Sequence, residues 1–218
     1  MAAYDLPPER LERWLDRWAA LHGGLAGGRR DGDAVLLTGA DGATVRSEPP
    51  FPPVGGVADA GGDGGAVLGA LLAHVRSRRR VGVVLVRLGG HAVGIFDGGE
   101  LAVSKVGSRL VHGRHRAGGS SANRFARRRQ NQAREALDAA AATAVALLAG
   151  PARAGALDAV VRGGDRRALV EVFEDVRLAG VAALAVERII EVPEPRLKVL
   201  RATPEQFLAT RLVPSDGA

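Results

Sequence analysis

The 218-residue chain contains no cysteine, which excludes disulfides, thiolate metal sites and a cysteine nucleophile together. No unbroken apolar run reaches the roughly 18 residues of a membrane-spanning helix. None of its five histidines stands in an H-E-x-x-H spacing, so a metal hydrolase has no support. The glycines at 61–65 are not followed by Gly-Lys-Ser/Thr, which removes a phosphate-loop reading, and no G-x-S-x-G elbow frames a serine. MAAYDLPPER lacks the basic start and apolar core of a signal peptide, so the expectation is a cytoplasmic protein without metal or nucleotide cofactor.

Two further scarcities say more. Lys105 and Lys198 are the only lysines among 30 basic residues. With abundant alanine and glycine this fits a GC-rich genome, so the choice of arginine is partly compositional. Its placement is another matter. From Arg109 to Arg134 there are eight arginines and no acid, giving +8, although the chain as a whole carries +6. Local positive charge of this density points to a polyanionic partner.

Apolar spacing predicts an amphipathic helix over 6–21, with Leu11, Trp14, Leu15, Trp18 and Leu21 on one stripe. Short strands come next at 34–37 and 43–46, then a Pro/Gly-rich connector over 48–65 and a helix over 66–79. From residue 80 the pattern becomes β: 80–88, a Gly-Gly turn, 91–96, a second turn, 100–106 and a short piece at 108–112. A long helix is expected over 122–149, stopped by Gly150-Pro151. A strand at 157–162, a helix at 165–175, a strand at 188–192 and a last helix after Pro195 complete the pattern. The expected fold class is α/β, a mixed sheet with flanking helices beside a small N-terminal α+β unit. The expected boundaries are 1–65 for that unit and its connector, 66–212 for the main domain and 213–218 for a tail.

Chemistry concentrates in HGRHRAGGSSANRFARRRQNQA, residues 112–133. Residues 113–121 hold one apolar side chain, Ala117, and read as a loop feeding the N-terminus of the long helix. Arg124, Arg127, Arg128 and Arg134 fall along one broad helical face. Without acids such a face repels itself, and phosphates would relieve the repulsion.

This stretch resembles the loop and helix of the middle domain of eukaryotic and archaeal class I peptide-release factors, and most closely their actinobacterial and Chloroflexi Vms-like branch. In that family a Gly-Gly-Gln apex precedes Ser-Ala-x-Arg-Phe-Ala-Arg. Gly118 and Gly119 match the glycines. Ser121, Ala122, Arg124, Phe125, Ala126 and Arg127 match the second part of the motif, without a gap. The glutamine position is held by Ser120, and Asn123 is the nearest amide side chain. The resemblance covers roughly residues 80–200. It implies a ribosome-associated peptidyl-tRNA hydrolase acting in rescue of stalled translation. Gly118, Gly119 and Ser120 would form the catalytic apex with Asn123 as an auxiliary amide. Arg114, Arg116, Arg124, Arg127 and Arg128 would hold RNA phosphates, and the partners would be the large ribosomal subunit and peptidyl-tRNA. The alternative is a ribosome- or RNA-binding module that has lost catalysis with the glutamine.

Overall fold

In the computed structural model, which describes residues 3–87, 89–108 and 121–215, the chain begins β1 (Tyr4–Leu6), α1 (Pro8–Leu21), β2 (Leu25–Asp31), β3 (Ala34–Gly39), β4 (Thr44–Glu48) and α2 (Gly64–Arg76). A meander is next: β5 (Arg80–Arg87), β6 (Gly90–Asp97) and β7 (Glu100–Ser108). Then come α3 (Ser121–Ala144), a π-helical turn (Val145–Ala149), α4 (Gly150–Arg153), β8 (Ala159–Gly164) and α5 (Arg166–Phe173). A 3-10 turn (Val176–Leu178), α6 (Ala179–Ala182), β9 (Ala185–Ile190), α7 (Leu197–Ala202), α8 (Pro204–Phe207) and β10 (Thr210–Ser215) close the chain. This is an α/β protein with two sheets, each flanked by helices.

The chain divides into two units, one of Met1–Ser77 with Pro204–Ala218, the other of Arg78–Thr203. The first unit holds an antiparallel sheet ordered β1-β10-β4-β3-β2. The expected apolar stripe of α1 holds in its middle: Leu11, Leu15 and Trp18 are buried with Val35, Leu37 and Val45 of the sheet and Trp14 packs half-buried against them, whereas Leu21, at the helix end, is exposed. Several features differ from the sequence reading: β1 and β2 are additional strands, and residues 204–212, expected in the main domain, fall in this unit. Residues 66–76 belong to this unit, because α2 packs Val67, Leu71, Leu72 and Val75 into the same core. Residues 213–215 are not tail but the end of β10, which lies between β1 and β4.

The second unit holds a mixed sheet ordered β7-β6-β5-β8-β9. The meander β5–β6–β7 is antiparallel, while β8 and β9 run parallel to β5 and to each other. Strand β5 is buried from Val81 to Val86, as its unbroken apolar run demands of a strand covered on both faces. One face carries Val84, Val86, Val93 and Ile95 against Ala140, Ala144 and Leu148 of the α3 region and Leu169 and Val172 of α5. On the other face Leu200 of α7 lies against Gly94. Gly150 and Pro151 do not stop the helix. The π-helical turn before them loosens the ladder, and Pro151 takes a first-turn position of α4, where a missing N–H costs nothing. By length and composition Gln130–Arg153 would pass as a membrane span, with mean hydropathy 1.2. Alanine supplies that hydropathy, and Ala140, Ala144 and Leu148 are packed on the sheet.

Candidate nucleic-acid interface

Strand β7 ends at Ser108, paired with Gly90 where β6 begins. Helix α3 starts at Ser121. The stretch read as chemical therefore links two elements of one sheet-and-helix unit. Gly118, Gly119, Ser120, Arg114 and Arg116 lie outside the described residues. Asn123, Arg124 and Arg128 are on α3, their side chains likewise outside the described ones.

Arg127 and Arg134 are exposed on α3, and neither forms an ion pair among the described residues. The first turn of α3 contains no acid; the first carboxylate along the helix is Glu135. Arg127 and Arg134 are seven residues apart, two turns, so they share a face about 10 Å apart along the axis. Phe125 and Ala126 belong to the same stretch of helix, also without described side chains.

The helix that carries this face is fixed to the sheet by a buried hydrogen-bonded chain. The Thr143 hydroxyl donates to the Ala139 carbonyl, 2.9 Å away. Its oxygen is therefore left to accept from Nε2 of His91, at 3.0 Å. That assigns the proton of the neutral imidazole to Nε2. Burial, and secondarily the nearby Lys105 charge, hold the His91 pKa below the usual histidine value. The ring can lie close against β7 because residue 107 is glycine: a Cβ there would come within 2.5 Å of His91 Cε1. His91 is thus a neutral tether between β6 and α3. Its position in the sequence, alone in an apolar strand, carries no sign of that role.

A cleft of about 940 Å³ opens where α3, α5 and the β5–β6 turn meet. Its floor is small and apolar, with Ala133, Ala141 and Ala168 among the lining residues. Arg134 and Arg167 line it together with the carboxylates Asp138, Glu171 and Glu174. None of these five forms an ion pair among the described residues. Asp175 is different: the Arg177 guanidinium and backbone N–H bind its carboxylate and hold its pKa down at about 2. Asp165 is different too. Its Oδ1 accepts from the backbone N–H groups of Arg167 and Ala168 at 2.8 and 3.0 Å, capping α5. Gly164, at φ 104°, makes the turn into that cap, and a Cβ there would collide with the Val86 carbonyl. Sequence reasoning finds the strand–Gly–Gly–helix unit but not the cleft. Arg134 and Arg167 come to line one cleft only through the β7–α3–β8–α5 path.

Residues 79–213, more than half of the chain, match the family described as the Actinobacteria/Chloroflexi VLRF1 release factor. No curated protein matches the chain. Among solved structures, the archaeal translation termination factor aRF1 is similar at 16% identity and a TM-score of 0.45, over 94% of this chain and 66% of that one. A second archaeal protein is similar at 17% identity and a TM-score of 0.39, over 80% of this chain and 50% of that one. The chain spans less than two thirds of the length of either structure.

Proposed function

The chain belongs to the Actinobacteria/Chloroflexi VLRF1 release-factor family, and from that premise we propose that it is a ribosome-associated peptidyl-tRNA hydrolase that frees nascent peptides from stalled translation complexes in the cytoplasm. The observation that carries the proposal is an acid-free stretch of eight arginines, 109–134, in which Arg127 and Arg134 stand exposed and unpaired among the described residues. The large ribosomal subunit and the acceptor end of tRNA supply the phosphates that such a face requires. Arg114, Arg116, Arg124, Arg127 and Arg128 hold RNA.

The reaction is attack of a water oxygen on the ester carbonyl carbon. The bond to the ribose oxygen at the tRNA 3′ end breaks, and that oxygen takes up a proton. Gly118 and Gly119 let the backbone approach the ester closely. The N–H of Ser120 stabilises the developing oxyanion, a contribution that does not depend on the side chain. The Ser120 hydroxyl and the Asn123 amide take over water positioning from the family's glutamine. A second reading, a binding module without catalysis, draws on that same replacement at Ser120.

Purified stalled ribosomal complexes decide between them. Hydrolysis predicts peptide release by the intact protein and its loss in Gly119→Ala. It also predicts faster release by Ser120→Gln; one oxyanion or positioning contact of this kind changes rates by about 10²–10³. Ribosome sedimentation without release at any protein concentration, in either the natural or the Ser120→Gln form, would reject the hydrolase and leave the binding module.

A further inference from the structure

Helix α1 is built in stripes. Leu11, Leu15 and Trp18 face the core. Beside them around the helix run Arg10, Trp14, Arg17 and Leu21, at steps of four, three and four residues. Glu9, Glu12 and Asp16 fall on the far side of that second stripe, with Arg13 between. Glu9 and Asp16 stand at i−4 and i+3 from Arg13 and offset its charge. Arg10 and Arg17 have no acid three or four residues away in either direction, and neither forms an ion pair among the described residues. Arg10 also lies in the first turn, where the helix dipole disfavours a cation, so its charge does nothing for the helix itself.

Between the two arginines the surface is aromatic. Trp14 is half-buried against the core, and the Tyr4 ring packs on it at 5.6 Å between centroids, tilted by 48°. Tyr4 stays 43% exposed, on the strand that forms the edge of the first sheet. Leu21 continues the stripe at 81% exposure.

We infer that this stripe binds single-stranded RNA, with Tyr4 and Trp14 offering a ring face to an unpaired base while Arg10 and Arg17 hold the phosphates on either side of it. Exposed rings bracketed by cations suit an unpaired strand, because every base has a π-face and a phosphate flanks it on each side. A duplex keeps its base faces stacked inside and gains nothing from the rings. A protein partner would also use Trp, Tyr and Arg as anchors, but two arginines left without acids favour a polyanion. Membership of a release-factor family, which works in translation, makes the strand RNA and not DNA. The inference is independent of the proposed hydrolysis, which uses residues of the 109–134 stretch.

The test uses the full chain and a short oligouridylate, with affinity measured across a salt series. Both tryptophans of the chain are on α1, so their emission reports on this surface and binding should quench it. Arg10→Gln and Arg17→Gln should each lower the slope of log K against log[salt] by about 0.7, the value for one phosphate contact on a single strand. Their melting temperatures should match the natural protein's, since both side chains are exposed. Tyr4→Ala should weaken binding at least about five-fold with the slope unchanged, as expected for a lost stacking contact. Binding without a change in tryptophan emission, and unaltered in all three variants, overturns this inference and leaves the hydrolase to the release assay. Quenching by an RNA duplex as strong as by the single strand also overturns it, because charge alone would then account for binding. Failure of the natural chain to bind the oligouridylate rejects it outright. Loss of ribosome sedimentation in the double arginine variant, with oligouridylate binding unchanged, rejects it too and assigns the stripe to a protein.

Discussion

Thr143 has one hydroxyl proton, and the Ala139 carbonyl takes it. The buried His91 N–H then has a single acceptor, Thr143 Oγ1. Thr143→Val keeps the shape and removes that acceptor, leaving a buried donor unsatisfied. The expected loss is about 1–3 kcal/mol, read from the urea-unfolding midpoint. The same pair sets a pH dependence. His91 titrates below its ordinary value when folded and near 6.5 when unfolded. Between those two values the unfolded chain binds more protons, so this contribution to stability is complete above about pH 6.5 and declines on acidification. His91→Gln retains a side-chain N–H and abolishes the titration. Its unfolding midpoint should fall less than that of the natural protein between neutral and mildly acidic pH. Parallel curves would show that His91 is not the source. Nothing around His91 in the sequence announces this: an apolar strand with one histidine reads the same whether the ring is charged, neutral or a ligand.

At the scale of elements, α5 depends on its cap. Eight residues make a short helix, and Asp165 satisfies two of its free N–H groups. Asp165→Ala should cost about 1 kcal/mol, which differential denaturation measures. Aspartate after Gly-Gly is legible as a helix start, and sequence alone places this element correctly. Strand β2 is not legible in that way. LAGGRRD has two glycines and two adjacent arginines and shows no alternation. It is a strand because it pairs with β3, and because Gly28 leaves room for Val67 of α2. Strand β10 hides for a related reason: Pro214 looks like the mark of a tail. Among the described residues, pairing with β1 ends at Leu212 and Pro214 pairs with Val45 of β4, near the end of the strand where a proline is tolerated.

For the whole molecule, the first unit is closed by the last residues of the chain. Thr210–Ser215 sits between β1 and β4, with Leu212 fully buried in the core. Deleting residues 204–218 should therefore unfold the first unit while Arg78–Thr203 keeps its sheet. Limited proteolysis would then leave a resistant fragment close to residues 78–203. A fragment that still includes α1 and α2 would contradict the role given to β10. The family match ends at residue 213 and so reaches into this strand, a span that composition alone gives no reason to expect.

Composition and spacing determined the two features that need no distant partner. One is the uncompensated arginine stretch, because charge along a chain is set by its residues. The other is the β5–β6–β7 meander, because an apolar run broken by tight turns pairs with its neighbour. Only the tertiary structure decided which strands close the first sheet, which proton His91 carries, and that Arg134 and Arg167 line one cleft with Asp138, Glu171 and Glu174. Each of these depends on groups far apart in sequence, whose meeting is set by strand order and core packing and not by any local preference.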